Sequence, residues 1–133
     1  MNKFEELLQE AEDNNVKVYD FDLGGSGFDG LYIDGNVALS NQIETTAKKA
    51  CVLAEELGHY YTTVGNILDQ NDSNSRKQER TARRWAYEKL VPRSSIETAF
   101  EKGYTTLWDV AEYLDIDECF LKEALIHYGY LDV

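Results

Sequence analysis

Hydrophobic positions change their period along the chain, and each period predicts a different element. They recur at helical spacing between residues 3 and 14, which predicts a first helix. The segment NNVKVYDFDL then alternates hydrophobic and polar positions, as a strand does. The segments GLYI and VALS flank an Asp34-Gly35 pair, and Asp-Gly favours a tight turn, so they predict a hairpin.

After the hairpin the period is helical again. A face of small residues predicts a helix from about residue 42 to 61, with Ser40 or Asn41 as its N-cap. A polar connection at 71–78 overlaps the start of a further helix, RKQERTARRWAYEKL, which stops at Val91-Pro92. Three shorter helices fill the last third, with caps at Ser94 or Ser95, at Thr105 or Thr106, and at Asp115 or Asp117.

This order of elements predicts an α+β fold, with a small antiparallel sheet packed on a central helix. The length of 133 residues predicts one domain over residues 1–133. Within it, we expect the sheet and the site-bearing helices in 1–92 and a helical C-terminal lobe in 93–133.

The net charge of -12 narrows the class of partner. A strongly acidic surface repels phosphate, so we expect no direct nucleic-acid binding and instead a basic or neutral protein partner. The acidic start of the chain lacks a signal-peptide pattern, and no apolar run is long enough to span a membrane. Cys51 and Cys119 form no C-x-x-C pair and read as reduced thiols, so we expect a cytoplasmic protein.

The segment KACVLAEELGHYYTT carries the candidate chemistry. Glu55 and His59 are four residues apart on one helix face, so both can reach one ion. The frame E-E-x-x-H is one residue from H-E-x-x-H, in which the outer pair binds zinc and the inner Glu acts as general base. That inner position is Glu56 here. The alternative is an ordinary solvated, acidic helix face. Gly58 costs about 1 kcal/mol inside a helix, so it needs a packing reason.

A third ligand is needed for a catalytic zinc site, and Glu79 is the next candidate. It shares a helical stripe with Ala82 and Ala86 rather than with the arginines of its helix. The alternative is an ion pair with Arg83 at i+4, a common surface pair.

The three segments GLYIDGNVALS, CVLAEELGHYYTT and ERTARRWAYEKLVP together resemble the ImmA/IrrE family of metallopeptidases. That family has a hairpin leading into a helix with H-E-L-G-H. A later helix follows E-x-x-A-x-x-F-A-x-x-L-x-x-P, with Trp85 here in place of Phe. The C-terminal segment TTLWDVAEYLDIDECFLKEAL resembles the family's helical tail, so the resemblance spans roughly residues 28 to 130.

The resemblance implies a minimal zincin-like fold and a role for each motif residue. His59 matches the second zinc-binding His, Glu56 the general base and Glu79 the downstream carboxylate ligand. Glu55 stands where the family has its first His. A carboxylate is an acceptable ligand for Zn²⁺ or another divalent metal, but more anionic ligands make the ion a weaker Lewis acid.

The resemblance also implies a function: a phage-type endopeptidase that cleaves or inactivates a helix-turn-helix repressor. The exchange at Glu55 favours an alternative, a protein that keeps the peptidase scaffold and controls a repressor by sequestration. A third possibility, a DNA-binding regulator, rests on the predicted order of helix, turn and helix in residues 106–125. Acidic residues at the exposed positions of its second helix argue against base readout.

Overall fold

The computed structural model describes residues 1–63 and 72–132. In that part of the chain there are six helices and three strands. Their bounds are α1 Lys3–Asp13, β1 Lys17–Phe21, β2 Gly30–Ile33, β3 Asn36–Ser40, α2 Thr46–Thr63, α3 Asp72–Leu90, α4 Arg93–Glu101, α5 Leu107–Leu114 and α6 Glu118–Tyr128. The α+β class is therefore confirmed.

The sheet is mixed rather than wholly antiparallel. Its strand order is β1-β3-β2, and the predicted hairpin of β2 and β3 pairs antiparallel. β1 instead runs parallel to β3, with Lys17 opposite Asn36 and Phe21 opposite Ser40. The reason is topological. The chain reverses direction between β1 and β2, but these two strands are not neighbours and leave a gap one strand wide. β3 fills that gap, and its reversal from β2 makes it parallel to β1.

Two helix starts differ from the sequence prediction. α2 begins at Thr46 rather than near residue 42, and Thr45 Oγ1 accepts a hydrogen bond from the Lys48 amide at 3.1 Å. Thr45 therefore caps the helix, whereas Ser40 is the last residue of β3. α3 begins at Asp72, inside the segment predicted as a polar connection. A run of polar residues is compatible with a helix as well as with a connection, so composition alone misplaced that boundary. Residue 71 lies outside the described residues.

The caps of the C-terminal helices are mostly as predicted. Thr106 accepts from the Asp109 amide at 3.0 Å, and Asp117 accepts from the Phe120 amide at 3.1 Å. α4 is the exception, because its N-cap is Pro92 and no side chain caps it. The Ser95 hydroxyl donates to the Pro92 carbonyl at 2.7 Å, so it does not accept from the helix amides.

α2 lies at the centre of the core. Leu53, Ala54 and Leu57 of this helix are fully buried, and the strongly buried Val37 and Leu39 of β3 belong to the same hydrophobic cluster. α1 and the C-terminal helices complete the cluster through a set of buried residues: Leu7, Ala11, Ile96, Val110, Leu121 and Leu125. α2 therefore packs against the sheet on one side and against α1 and α3 on others, while the C-terminal helices extend the same core. Within residues 1–63 and 72–132, no helix has the length and apolarity needed to cross a membrane.

Candidate functional site

The site is built where α2 crosses α3. A Cβ placed on Gly58 would lie 2.4 Å from the Ala82 carbonyl oxygen, far inside normal contact distance. Only glycine allows the two backbones to come this close, and this close contact explains why a glycine stands inside α2. His59 follows Gly58 on α2, and Glu79 precedes Ala82 by one helical turn on α3. The close crossing therefore brings these two side chains together.

The His59–Glu79 pair has the separation expected of two ligands of one metal ion. Their Nε2 and Oε1 atoms are 3.1 Å apart. Two donors about 2.1 Å from a tetrahedral Zn²⁺ lie roughly 3.4 Å from each other. In the structure the imidazole N–H donates to the carboxylate directly. Glu79 also lies 3.9 Å from Arg83 Nη2, so the surface pair considered as an alternative is present as well.

Glu55 does not complete a three-donor set. Among the described residues, no group of three His, Cys, Asp or Glu side chains is gathered closely enough to hold a metal ion. Burial raises the pKa of the Glu55 carboxyl, and the positive charge of Arg83 opposes that rise most strongly. The carboxylates of Glu123 and Glu79 reinforce this rise in the pKa of Glu55, and His59 opposes it. His59 and Glu79 are near enough to act as two ligands of one ion, whereas Glu55 is not gathered with them within the part of the chain that the structure describes.

Glu56 lies between α2 and the edge of the sheet. It is 9 % exposed, and a Cβ placed on Gly30 of β2 would lie 3.0 Å from Glu56 Oε2. Burial raises the pKa of Glu56 to about 7, although the nearby His59 opposes the shift. A carboxyl with this pKa exchanges its proton near neutral pH, which is what a general base requires.

His59 and Glu79 shift each other's pKa in opposite directions. The hydrogen bond to Glu79 raises the pKa of His59 against the opposing effect of burial. The same bond lowers the pKa of Glu79. In the absence of metal, the pair therefore favours imidazolium beside carboxylate. A metal ion must displace that proton, because only neutral imidazole can bind it.

These side chains line a cleft of about 1300 Å³. β2 and the loops that flank it form one side of this cleft, and α2, α3 and the N-terminal part of α6 with its N-cap form the other. β2 is an edge strand, so it has backbone N–H and C=O groups not paired within the sheet. The cleft therefore combines the charged centre with an edge on which an extended peptide can pair.

Several other cysteine, histidine and tyrosine side chains make structural contacts. Cys51 is buried as a small hydrophobe, and both Cys51 and Cys119 are free thiols, as predicted. His127 pairs with Glu88 at 3.5 Å and packs against two tyrosine rings. Tyr60 and Tyr61 hydrogen-bond to α1 and the residue that follows it rather than to the charged centre, although Tyr60 borders the cleft. In the segment RKQERTARR of α3, the five basic residues are all exposed: Arg76, Lys77, Arg80, Arg83 and Arg84.

Sequence reasoning missed three contributors to the site. Gly30 lets β2 approach α2, Glu123 of α6 lines the cleft, and Tyr87 donates to Glu123 Oε2 at 3.1 Å. Gly30 gave a usable signal, because a glycine within a strand often marks the close approach of another group. Glu123 and Tyr87 gave none, since they meet only through the packing of α3 against α6.

A comparison with protein families identifies one match that covers most of the chain. The family Peptidase_M78, described as the IrrE N-terminal-like domain, matches residues 11–125. No curated protein matches the chain. The matched segment contains β1 to β3, both helices of the crossing and nearly all of the C-terminal helices. The chain belongs to this IrrE-like family of metallopeptidases, and its α+β architecture with a small mixed sheet is consistent with the family's minimal zincin-like fold.

Proposed function

We propose that the chain is a metal-dependent endopeptidase that cuts an extended segment of another protein. The observation that carries the proposal is the His59–Glu79 pair, 3.1 Å apart in an open cleft with the buried Glu56. His59 and Glu79 would hold Zn²⁺ or another divalent ion, and Glu55 would join them by turning towards His59. When bound, such an ion acts as a Lewis acid towards water and the peptide carbonyl.

Glu56 is the proposed general base. Because its pKa is about 7, Glu56 is a free carboxylate in about half of the protein molecules at pH 7. That carboxylate accepts a proton from the attacking water and, once protonated, can return it to the leaving amine. The low exposure of Glu56 keeps bulk water from competing for this proton.

The edge of β2 is the proposed substrate-binding element. An extended peptide that pairs with this edge would pass near Glu56, since a Cβ placed on Gly30 of β2 would lie 3.0 Å from Glu56 Oε2. Following the resemblance of its motifs, we propose that the substrate is a phage-type helix-turn-helix repressor. Because such a repressor acts on DNA inside the cell, we also place the reaction in the cytoplasm.

The test is an assay of repressor cleavage by purified protein loaded with Zn²⁺. Mass spectrometry would follow a helix-turn-helix repressor encoded beside the gene, mixed with the wild type, with Glu56→Gln and with wild type plus chelator. We expect fragments only with the untreated wild type. Glu97→Gln is the matched control, because it makes the same exchange at an exposed position of α4. Cleavage that survives in Glu56→Gln or in chelator would refute the proposed mechanism.

A second candidate function is sequestration of the repressor without cleavage. The observation favouring it is Glu55, which stands where the family has a neutral histidine and which is not gathered with His59 and Glu79 into a three-donor group within the described residues. Under this hypothesis the repressor binds equally to the wild type, to Glu56→Gln and to chelator-treated protein. A mobility assay of repressor on its operator would then show release in all three cases, with no fragments.

A further inference from the structure

The cleft of the proposed site is strongly acidic. Among the described residues that line it, seven are acidic and two are basic. Both basic side chains already have carboxylate partners, because Lys48 lies 3.6 Å from Asp29 and Arg83 lies 3.9 Å from Glu79. The cleft therefore contains more carboxylates than its own cations neutralise, so it favours a ligand with positive charge.

Glu123 of α6 is one of the carboxylates left over, and its position is fixed. The Tyr87 hydroxyl donates to Glu123 Oε2 at 3.1 Å. A neutral donor of this kind orients a carboxylate but does not cancel its charge. Asp117 lines the same end of the cleft, but it already accepts from the Phe120 amide as the N-cap of α6. Glu123 is therefore an oriented negative charge that pairs with no cation in the described part of the chain.

An apolar surface adjoins Glu123. Phe120 precedes it by one helical turn on the same face of α6, and Phe120 and Cys51 of α2 both line the cleft and belong to one hydrophobic cluster. The Phe120 ring packs edge to face against Tyr87 with ring centroids 5.2 Å apart, so Tyr87 holds both the carboxylate and the apolar surface in place. We call Cys51, Phe120 and Glu123 together the α6 pocket. Lys and Arg match it, since they lay an aliphatic stem on apolar surface and extend a cation beyond it.

The α6 pocket lies close to the bond that would be cut. Glu55 precedes His59 by one helical turn, about 6 Å along α2. Glu123 is near enough to Glu55 to reinforce the rise in the pKa of that carboxyl. An extended peptide advances about 3.3 Å per residue, so a side chain about two residues from the bond at His59 reaches this level of the cleft.

Glu56 gives an independent sign that the cleft binds a polar ligand. It lines the cleft and is only 9 % exposed, and its carboxylate accepts no hydrogen bond from the described residues. A buried acceptor without a donor is costly, and an N–H group of a bound peptide would relieve that cost. A metal ion suits the α6 pocket less well than a cationic side chain, because within the described residues no three ligating side chains gather there.

We propose that Glu123 determines specificity by selecting a Lys or Arg side chain of the bound peptide, with the stem of that side chain on Phe120 and Cys51. The selected residue lies within about two positions of the cut bond. This inference rests on the proposed peptidase function, because it assigns a substrate class to the same cleft. Glu123 acts on binding rather than on the chemical step, so its role shows in KM and not in kcat.

The first experiment measures cleavage by the Zn²⁺-loaded protein. Mass spectrometry of a random peptide library should show Lys and Arg enriched about fivefold near the cut bonds. Glu123→Gln keeps an acceptor for Tyr87 but removes the charge, so KM for a lysine peptide should rise about fivefold with kcat unchanged. The same peptide with norleucine in place of lysine should be unaffected. Glu118→Gln is the matched control, because it makes the same exchange at an exposed position of α6 outside the cleft.

The second experiment measures binding without cleavage, so that the subsite is tested separately from the peptidase function. Anisotropy would follow labelled peptides that differ only in one lysine, norleucine or glutamate, mixed with protein without metal. We expect the wild type to prefer lysine about fivefold, less so as salt rises, and Glu123→Lys to prefer glutamate. This result without any cleavage would support the subsite and refute only the peptidase function. Equal binding of the three peptides, or a lysine preference that survives Glu123→Gln or disappears in Glu118→Gln, would overturn the subsite.

Discussion

Gly58→Ala is the substitution that tests how the site is assembled. The added methyl group would lie 2.4 Å from the Ala82 carbonyl oxygen and 3.0 Å from its carbonyl carbon and Cα. Since normal contacts begin near 3.5 Å, α2 and α3 must separate by about 1 Å. Overpacking of this kind costs about 1–3 kcal/mol, and the better helix propensity of alanine returns about 1 kcal/mol. We therefore expect a net loss of about 1–2 kcal/mol in the free energy of unfolding.

The same separation would break the polar pair next to it. An increase of about 1 Å takes the distance between His59 Nε2 and Glu79 Oε1 from 3.1 Å beyond hydrogen-bonding range. Because that bond is the main cause raising the pKa of His59, the pKa should fall towards 6.5 in the variant. Zinc affinity should fall with it, since two donors would no longer share one position.

Three measurements check this prediction: urea unfolding, an NMR pH titration of His59, and calorimetric titration with Zn²⁺. The chain has two histidines, so His127→Gln assigns the signals. Thr81→Ala is the control, because it raises helix propensity at an exposed position beside Ala82. If Gly58→Ala is about 1 kcal/mol more stable than wild type and leaves the His59 pKa unchanged, the close crossing is refuted.

Three further predictions concern the charges in the cleft. The folded protein keeps the Glu56 proton up to about pH 7 whereas the unfolded chain releases it near 4.5, so raising the pH through that window removes stability. Relative to wild type, Glu56→Gln should gain up to about 3 kcal/mol between pH 4.5 and 7 in urea unfolding, and a constant difference would contradict the assigned pKa. Arg83→Gln removes a cation 3.9 Å from Glu79 and should tighten Zn²⁺ binding roughly threefold by calorimetry; weaker binding would show that Arg83 orients the ligand instead. Glu55→His should also tighten Zn²⁺ binding, because it restores a neutral nitrogen ligand, and an unchanged dissociation constant would remove Glu55 from the metal site.

Much of the local structure could be predicted from the sequence. The hairpin follows from the Asp34-Gly35 turn, in which both residues have positive φ. The caps at Thr106 and Asp117 follow from short side chains that satisfy helix amides. The strict 3.6-residue spacing identifies the buried face of α6. Each of these features depends on interactions within a few residues, which is why one short segment contains the information.

The candidate site was partly predictable for the same reason. Glu55, Glu56 and His59 share one turn of α2, so their common helix could be read from spacing alone. Gly58 was predicted to need a packing reason, but the hydrophobic pattern of the sequence could not predict which residue packs against it. The sequence therefore determined which side chains are available for chemistry, together with the family whose motifs they match.

Only the tertiary structure decided which of these chemically active side chains lie next to one another. The Gly58–Ala82 crossing joins His59 to Glu79 across a long stretch of chain, and the packing of α3 on α6 associates Glu123 with Tyr87. The parallel pairing of β1 with β3 leaves β2 as the free edge beside Glu56. Such pairings depend on how distant hydrophobic faces pack together, because the sequence pattern fixes the face of each element but not the partner against which it packs.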